Sequence, residues 1–255
     1  MRKCTLLLIA AVLSTFAACG GKEKAKEEKN EKSIGLSTKN EGDSTLYGLA
    51  CDGCTDSVIV FLPGTGGDPV TYDIIEAWKQ HRVLGRPRVG DWICLMVNKE
   101  DSTKADLVID LDELKGTWVN MELPHLRQNI DFDTIPGFDE KHKARIDSIL
   151  EAEMKPVEMG FALKRSYVAQ AVGRQYGRDN EDSPIVYPTP KRYTEWHIVN
   201  GKLVLTETAA TNTNQQEAQQ QPPKQHNDTV DILFLLKDSL RIRYSDGTEK
   251  GFYRK

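Results

Sequence analysis

Beyond its first eighteen residues this 255-residue chain has no apolar run that approaches the about 20 residues needed to cross a bilayer. It also lacks an excess of one charge. Lys and Arg number 34 against 38 Asp and Glu, a net charge of −4 that is spread along the sequence. That leaves no basic stripe for phosphate backbones, so nucleic acid is excluded as a partner class. There is no Gly-x-Ser-x-Gly elbow, no Gly-x-x-x-x-Gly-Lys-Ser/Thr loop and no His-Glu-x-x-His pair. Serine-hydrolase, phosphate-loop and zinc-protease chemistries therefore lack their sequence signatures. With five cysteines the chain is no dense disulfide scaffold. No residue set names a reaction. The expectation is a protein that is not an enzyme, with no cofactor and no metal ligands.

What is present starts at the N-terminus. Arg2 and Lys3 precede an apolar run from Leu6 to Ala18, and Phe16-Ala17-Ala18 leads into Cys19. A basic start and a short apolar segment read as a secretory signal, residues 1–18. The Phe16–Cys19 stretch resembles the bacterial lipobox. The resemblance implies cleavage before Cys19, a thioether-linked diacylglycerol there, and usually an amide-linked acyl chain such as palmitate. It places the mature chain in the cell envelope, with the acyl chains on Cys19 as its only membrane attachment. Residues 19–43 read as a flexible charged tether: Lys22 to Lys32 holds five lysines and four glutamates and has no apolar face to bury. Gly20 after the cysteine, where Asp would retain the protein at the inner membrane, implies outer-membrane delivery by the enteric rule. The charged stretch resembles surface-export signals of Bacteroidota lipoproteins, so periplasmic and surface-facing positions both stay open.

The remainder reads as mainly β. Residues 44–112 are expected to form a small β barrel or sandwich. Ser57–Leu62, closed by Pro63-Gly64, Trp92–Val97 and Ala105–Leu111 read as strands. Tyr72–His81 fits a helical turn or a strand. Residues 113–255 form a second region with a helical insertion. The helix is predicted over Asp139–Lys155, with Asp139 as cap, Ile146, Ile149, Leu150 and Met154 on one face, and Pro156 as stop. Tyr193–Val199 and Lys202–Thr208 flank Asn200-Gly201, the preferred type I′ hairpin turn. Thr229–Leu236, Leu240–Tyr244 and Lys250–Tyr253 complete an antiparallel meander. Residues 209–227, rich in Gln, Asn and Pro, read as a disordered loop.

Gly116-Thr117-Trp118 opens this second region. The motif, in that place, resembles the start of lipocalins and their bacterial lipocalin-like relatives. The resemblance implies an antiparallel barrel with Trp118 beneath its floor and a basic residue of the last strand stacked on the indole. Arg241, Arg243 and Arg254 are the candidates. Leu49–Asp56 and Val89–Trp92 resemble stretches of uncharacterised Bacteroidota lipoproteins, which implies a lineage and no activity.

Cys51-x-x-Cys54 admits three readings: a structural pair (a local disulfide or packed thiols), a metal site with Cys94 and His81 as further ligands, or a redox pair. It precedes a strand and not a helix, which favours the structural one. Val58–Asp68 looks like the strand and glycine loop of α/β-hydrolases, but with no nucleophile elbow the glycines read as a turn. Asp110 and Asp112 read as a solvated face. Asp followed by Ser or Thr and then an aliphatic residue or Thr occurs at Ser44, Ser57, Ser102, Thr134, Ser148, Thr229 and Ser239, where chance gives roughly one. The triplet resembles the Bacteroidota O-glycosylation signal. Ser44 and Thr229, beside flexible segments, are the leading sites, followed by Ser102, Thr134 and Ser148; Ser57 and Ser239 stand at strand starts. The expected function is binding of a small apolar ligand or a partner, with assembly of other envelope proteins as the alternative and an unrecognised envelope enzyme as the third reading.

Overall fold

A computed structural model describes residues 42–126, 140–173, 185–208 and 225–255. They belong to one compact unit that runs from Gly35 to Lys255. The expected signal segment, Cys19, Thr134 and most of the expected tether and loop lie outside the described residues. Asp43, expected at the end of the tether, is instead buried: its Oδ1 accepts from the backbone N–H of Thr45 and of Asn200, both at 2.9 Å. Residues 225–227, expected in the loop, belong to a strand.

The protein is mainly β, in two principal sheets. The first takes β1 (Leu46–Ala50), β2 (Val58–Pro63), β3 (Val70–Asp73), β4 (Val83–Leu84), β5 (Trp92–Val97) and β6 (Ala105–Asp110) in the order β3-β2-β1-β5-β6-β4. Only the β4–β6 pair is parallel. Asp73 at the end of β3 bridges to Lys104 ahead of β6, and its N–H bonds to Thr103 O at 2.9 Å. The sheet therefore curls back on itself as a small barrel around Ile59, Phe61, Ile93, Leu95 and Val108. The ambiguous Tyr72–His81 stretch divides. Its first residues finish β3, and helix α1 (Ile75–Lys79) follows, begun by Asp73, whose Oδ1 accepts from the Ile75 N–H at 2.8 Å. β5 is apolar throughout because both of its faces are covered: Ile93 and Leu95 point into the small barrel, and Cys94 points away from it.

The second sheet has eight strands, all antiparallel: β7 (Gly116–Glu122), β9 (Val157–Leu163), β10 (Ala169–Gly173), β12 (Tyr193–Val199), β13 (Lys202–Thr208), β14 (Gln225–Leu236), β15 (Ser239–Arg243) and β16 (Glu249–Arg254). β16 pairs back with β7, and a bridge between Val168 and Glu195 draws the β10 and β12 edges together. Chain order matches spatial order, so this is an up-and-down barrel, nearly closed. Helix α2 (Leu111–Leu114) links the two sheets. β8 (His125–Leu126) and β11 (Ile185–Val186) pair as a small ribbon, and helix α3 (Glu140–Glu153) lies between β8 and β9. Asn200 and Gly201 have φ of 50° and 73°, the two positive angles a type I′ turn requires. A bulge between Ile232 and Phe234 shifts the alternation of β14, so that Ile232 and Leu235 are both buried while Phe234 is outside.

The large barrel stands end-on against the outer face of the small one. Leu84, Cys94, Leu107 and Ile109 share one core with Trp118, Phe161, Trp196, Leu203 and Ile242. The Asn200–Gly201 turn fits into this junction. Its backbone binds Asp43 and Thr45, and a Cβ on Gly201 would strike Leu107 and Met96. One end of the large barrel is thereby closed.

Candidate functional site

Trp118 and Arg254 build the closed end. Trp118 is fully buried, and its Nε1–H donates to Leu114 O at 2.8 Å. Of the three arginines considered from the sequence, Arg254 covers the indole, 4.2 Å from guanidinium carbon to ring centroid. Its Nη1 donates to Lys115 O at 2.7 Å, and it also donates to Glu113 O and Lys237 O. Gly116 is required here because a Cβ would fall on that guanidinium. Above the floor, Trp196, Leu203, Leu205, Val230, Leu240 and Ile242 fill the interior, each at most 2% exposed.

Among the described residues the other end is open. β7 runs from the floor to Asn120 and Glu122, β9 starts there, and β12 starts there with Tyr193. The β15–β16 turn contributes Tyr244, Asp246 and Thr248. Together they enclose a cavity of 290 Å³ over Met159, Phe161 and Phe252. The Phe161 ring lies 5.1 Å from Phe252 and edge-on to Tyr193 at 6.0 Å. Two ion pairs stand on the rim. Lys250 Nζ is 2.6 Å from Glu122 Oε1, to which Asn120 also donates at 3.3 Å. Lys191 Nζ is 2.6 Å from Asp228 Oδ2, to which the Tyr193 hydroxyl also donates at 2.6 Å, and the same ammonium lies 5.1 Å from the Tyr244 ring centroid. Burial alone would raise the Glu122 and Asp228 carboxyls, but the lysines outweigh it and hold both below the usual range. The rim is thus charged yet nearly balanced. Sequence reasoning found the floor motif and missed this rim, because its partners come from strands far apart in the chain and no local pattern marks them.

The Cys51–Cys54 disulfide is not formed; both are free thiols, as is the buried Cys94. Cys54 Sγ instead accepts from the Val60 N–H at 3.3 Å and donates to Cys51 O at 3.1 Å, so its sulfur holds the turn between β1 and β2. Among the described residues no three His, Cys, Asp or Glu side chains are grouped to hold a metal ion. Gly66 and Gly67, in the loop compared with hydrolases, take positive φ in the β2–β3 turn. The solvated face expected at Asp110 and Asp112 is corrected at Asp110. It is 1% exposed and caps α2, accepting from the N–H groups of Asp112 and Glu113 at 3.0 and 2.9 Å. Burial first, and then Asp91 and Glu113, push its carboxyl up to about 6. Ser44, Ser102, Ser148 and Thr229 are all exposed, as are Ser57 and Ser239. Ser44 Oγ donates to Asn200 Oδ1 at 2.9 Å, and Ser148 Oγ to Ala144 O within α3. Thr229 lies inside the β14 ladder, opposite Val204.

Compared with protein-family models, with curated proteins and with solved structures, the chain has no match.

Proposed function

We propose that this is a lipid-anchored lipoprotein of the cell envelope, held through Cys19, whose lipocalin-like barrel binds a small ligand at its open end without catalysis. The observation that carries the reading is the asymmetry of the barrel: one end is sealed by Trp118, Arg254 and the small barrel, and the other holds the 290 Å³ cavity. That size is near the lower end of small-molecule sites, about 300–1,000 Å³. Phe161 and Phe252 would take an apolar body, and Lys191, Lys250 and the two tyrosines a polar end. The tightly packed lower interior favours a second reading, a structural lipoprotein whose surfaces bind other envelope proteins. The exposed Asp-Ser/Thr hydroxyls support O-glycosylation.

Intact mass spectrometry of protein from native membranes tests the anchor. The expected mass is that of cleavage before Cys19 plus acyl chains, with hexose-sized increments if glycans are present. A bare full-length mass overturns anchor and glycans together. Cys19→Ala should move the protein out of membranes; retention after a carbonate wash refutes anchoring through this residue. Native mass spectrometry then decides between binder and scaffold. A co-purified small molecule lost in Lys191→Ala supports the first, and an empty barrel with co-purified proteins the second.

A further inference from the structure

We propose that the end of the small barrel is a second binding site, independent of the mouth, for a free α-amino acid with an apolar side chain. A cavity of 400 Å³ opens there, between the β1–β2 turn, α1 and the segment after β4. Its floor is Ile59 and Ile74, each 2% exposed and part of the small barrel's core. Val83 extends it, and Trp78 forms a wall that is 44% exposed. An indole left half-bare beside a packed aliphatic floor gains by covering its surface, at about 25 cal/mol per Å² of apolar area.

The polar groups define the ligand class. Asp56 and Arg86 line the same cavity. Both are exposed, and among the described residues neither forms an ion pair, with the other or with any third group. An anionic apolar ligand would satisfy Arg86 and face Asp56; a cationic one would do the reverse. A zwitterion satisfies both, with its carboxylate on the guanidinium fork and its ammonium on Asp56. The backbone beside each group is set in advance. The Arg86 N–H is held by Glu113 Oε2 at 2.6 Å, and the preceding Gly85 N–H bonds to Leu235 O at 3.0 Å. Beside Asp56, Thr55 Oγ1 accepts from the N–H groups of Ser57 and Val58 at 3.2 Å. The backbone of the cavity is therefore fixed before a ligand arrives, which lowers the ordering cost of binding.

The test is calorimetric titration of the full chain with L-leucine, N-acetyl-L-leucine and L-leucinamide, with Trp78 fluorescence as a second signal. L-leucine should bind saturably. N-acetylation, which removes the ammonium, and amidation, which removes the carboxylate, should each weaken binding about tenfold. Arg86→Gln and Asp56→Asn, both exposed and expected to fold, should weaken L-leucine by a similar factor, while Lys250→Ala at the mouth should leave it unchanged. No saturable heat or fluorescence change up to about 10 mM, weaker than the about 1 mM that −4.1 kcal/mol gives, overturns the proposal. So does equal binding of the three compounds, or full binding by Arg86→Gln.

Discussion

Single side chains set the stability of the closed barrel end and of the link between the sheets. Arg254 satisfies three backbone carbonyls and covers Trp118 in one place. Arg254→Ala should therefore lose about 2–4 kcal/mol in urea unfolding, and Arg254→Lys less, because an ammonium keeps the charge and loses the planar fork. Asp110 gives a pH signature. Its folded-state carboxyl titrates at about 6, above the ordinary carboxylate range. The folded state thus holds the proton more tightly than the unfolded chain. The contribution is fully present below about pH 4 and is lost as pH rises through 6. Asp110→Asn keeps the cap acceptor and removes the buried charge. It should match or exceed wild-type stability at pH 7, by about 1–2 kcal/mol, with the difference shrinking at pH 4.5. Parallel stability curves for the two proteins across pH 4.5–7 would rule this out.

At the scale of elements, the β12–β13–β14 hairpins are complete within their own ladders. β13 pairs with β14 as far as Thr208 opposite Gln225. Replacing residues 209–224 by a short Asn-Gly turn should leave the melting temperature unchanged or slightly higher, since a shorter closure costs less entropy. A drop of many degrees would mean that the insert supports the fold. The Asn200–Gly201 turn is the opposite case. Gly201→Ala places a Cβ against Leu107 and Met96 at a φ of 73° and should cost more than 1 kcal/mol, seen as a lower urea midpoint. Both ends of this hairpin, β12 and β13, were legible residue for residue, because alternation and the Asn-Gly signal agree. β1, β4, β8, β9, β10 and β11 were not recognised. β4 has two residues, and β10 (AQAVG) carries too few apolar residues to display a period. β9 (VEMGFAL) contains Gly160, where a Cβ would strike the Trp118 backbone. That glycine permits close strand approach yet reads as a breaker in the sequence.

For the molecule as a whole, the shared core predicts one cooperative transition. Residues 44–112 expressed alone would expose Leu84, Cys94, Leu107 and Ile109. They should be aggregation-prone or unfolded by circular dichroism, whereas the intact chain should melt in a single step by both fluorescence and far-UV signals. Thiol labelling gives a second readout. Cys51 and Cys54 should react in the native protein, and Cys94, whose thiol burial pushes strongly upward, only on unfolding. Three equally fast thiols in the folded protein would contradict the junction.

The sequence by itself determined the β class, the hairpin turn, the long helix and the Gly116–Trp118 motif, since these rest on local periodicity, turn chemistry and a residue that must be glycine. Tertiary structure alone decided which arginine meets Trp118, that Asp110 is buried, and that the two barrels share a core. It also decided that Glu122 meets Lys250 and that Lys191 meets Asp228 across the mouth. Glu122 and Lys250 stand 128 residues apart and Lys191 and Asp228 37 apart, and no local pattern in a chain encodes such pairings.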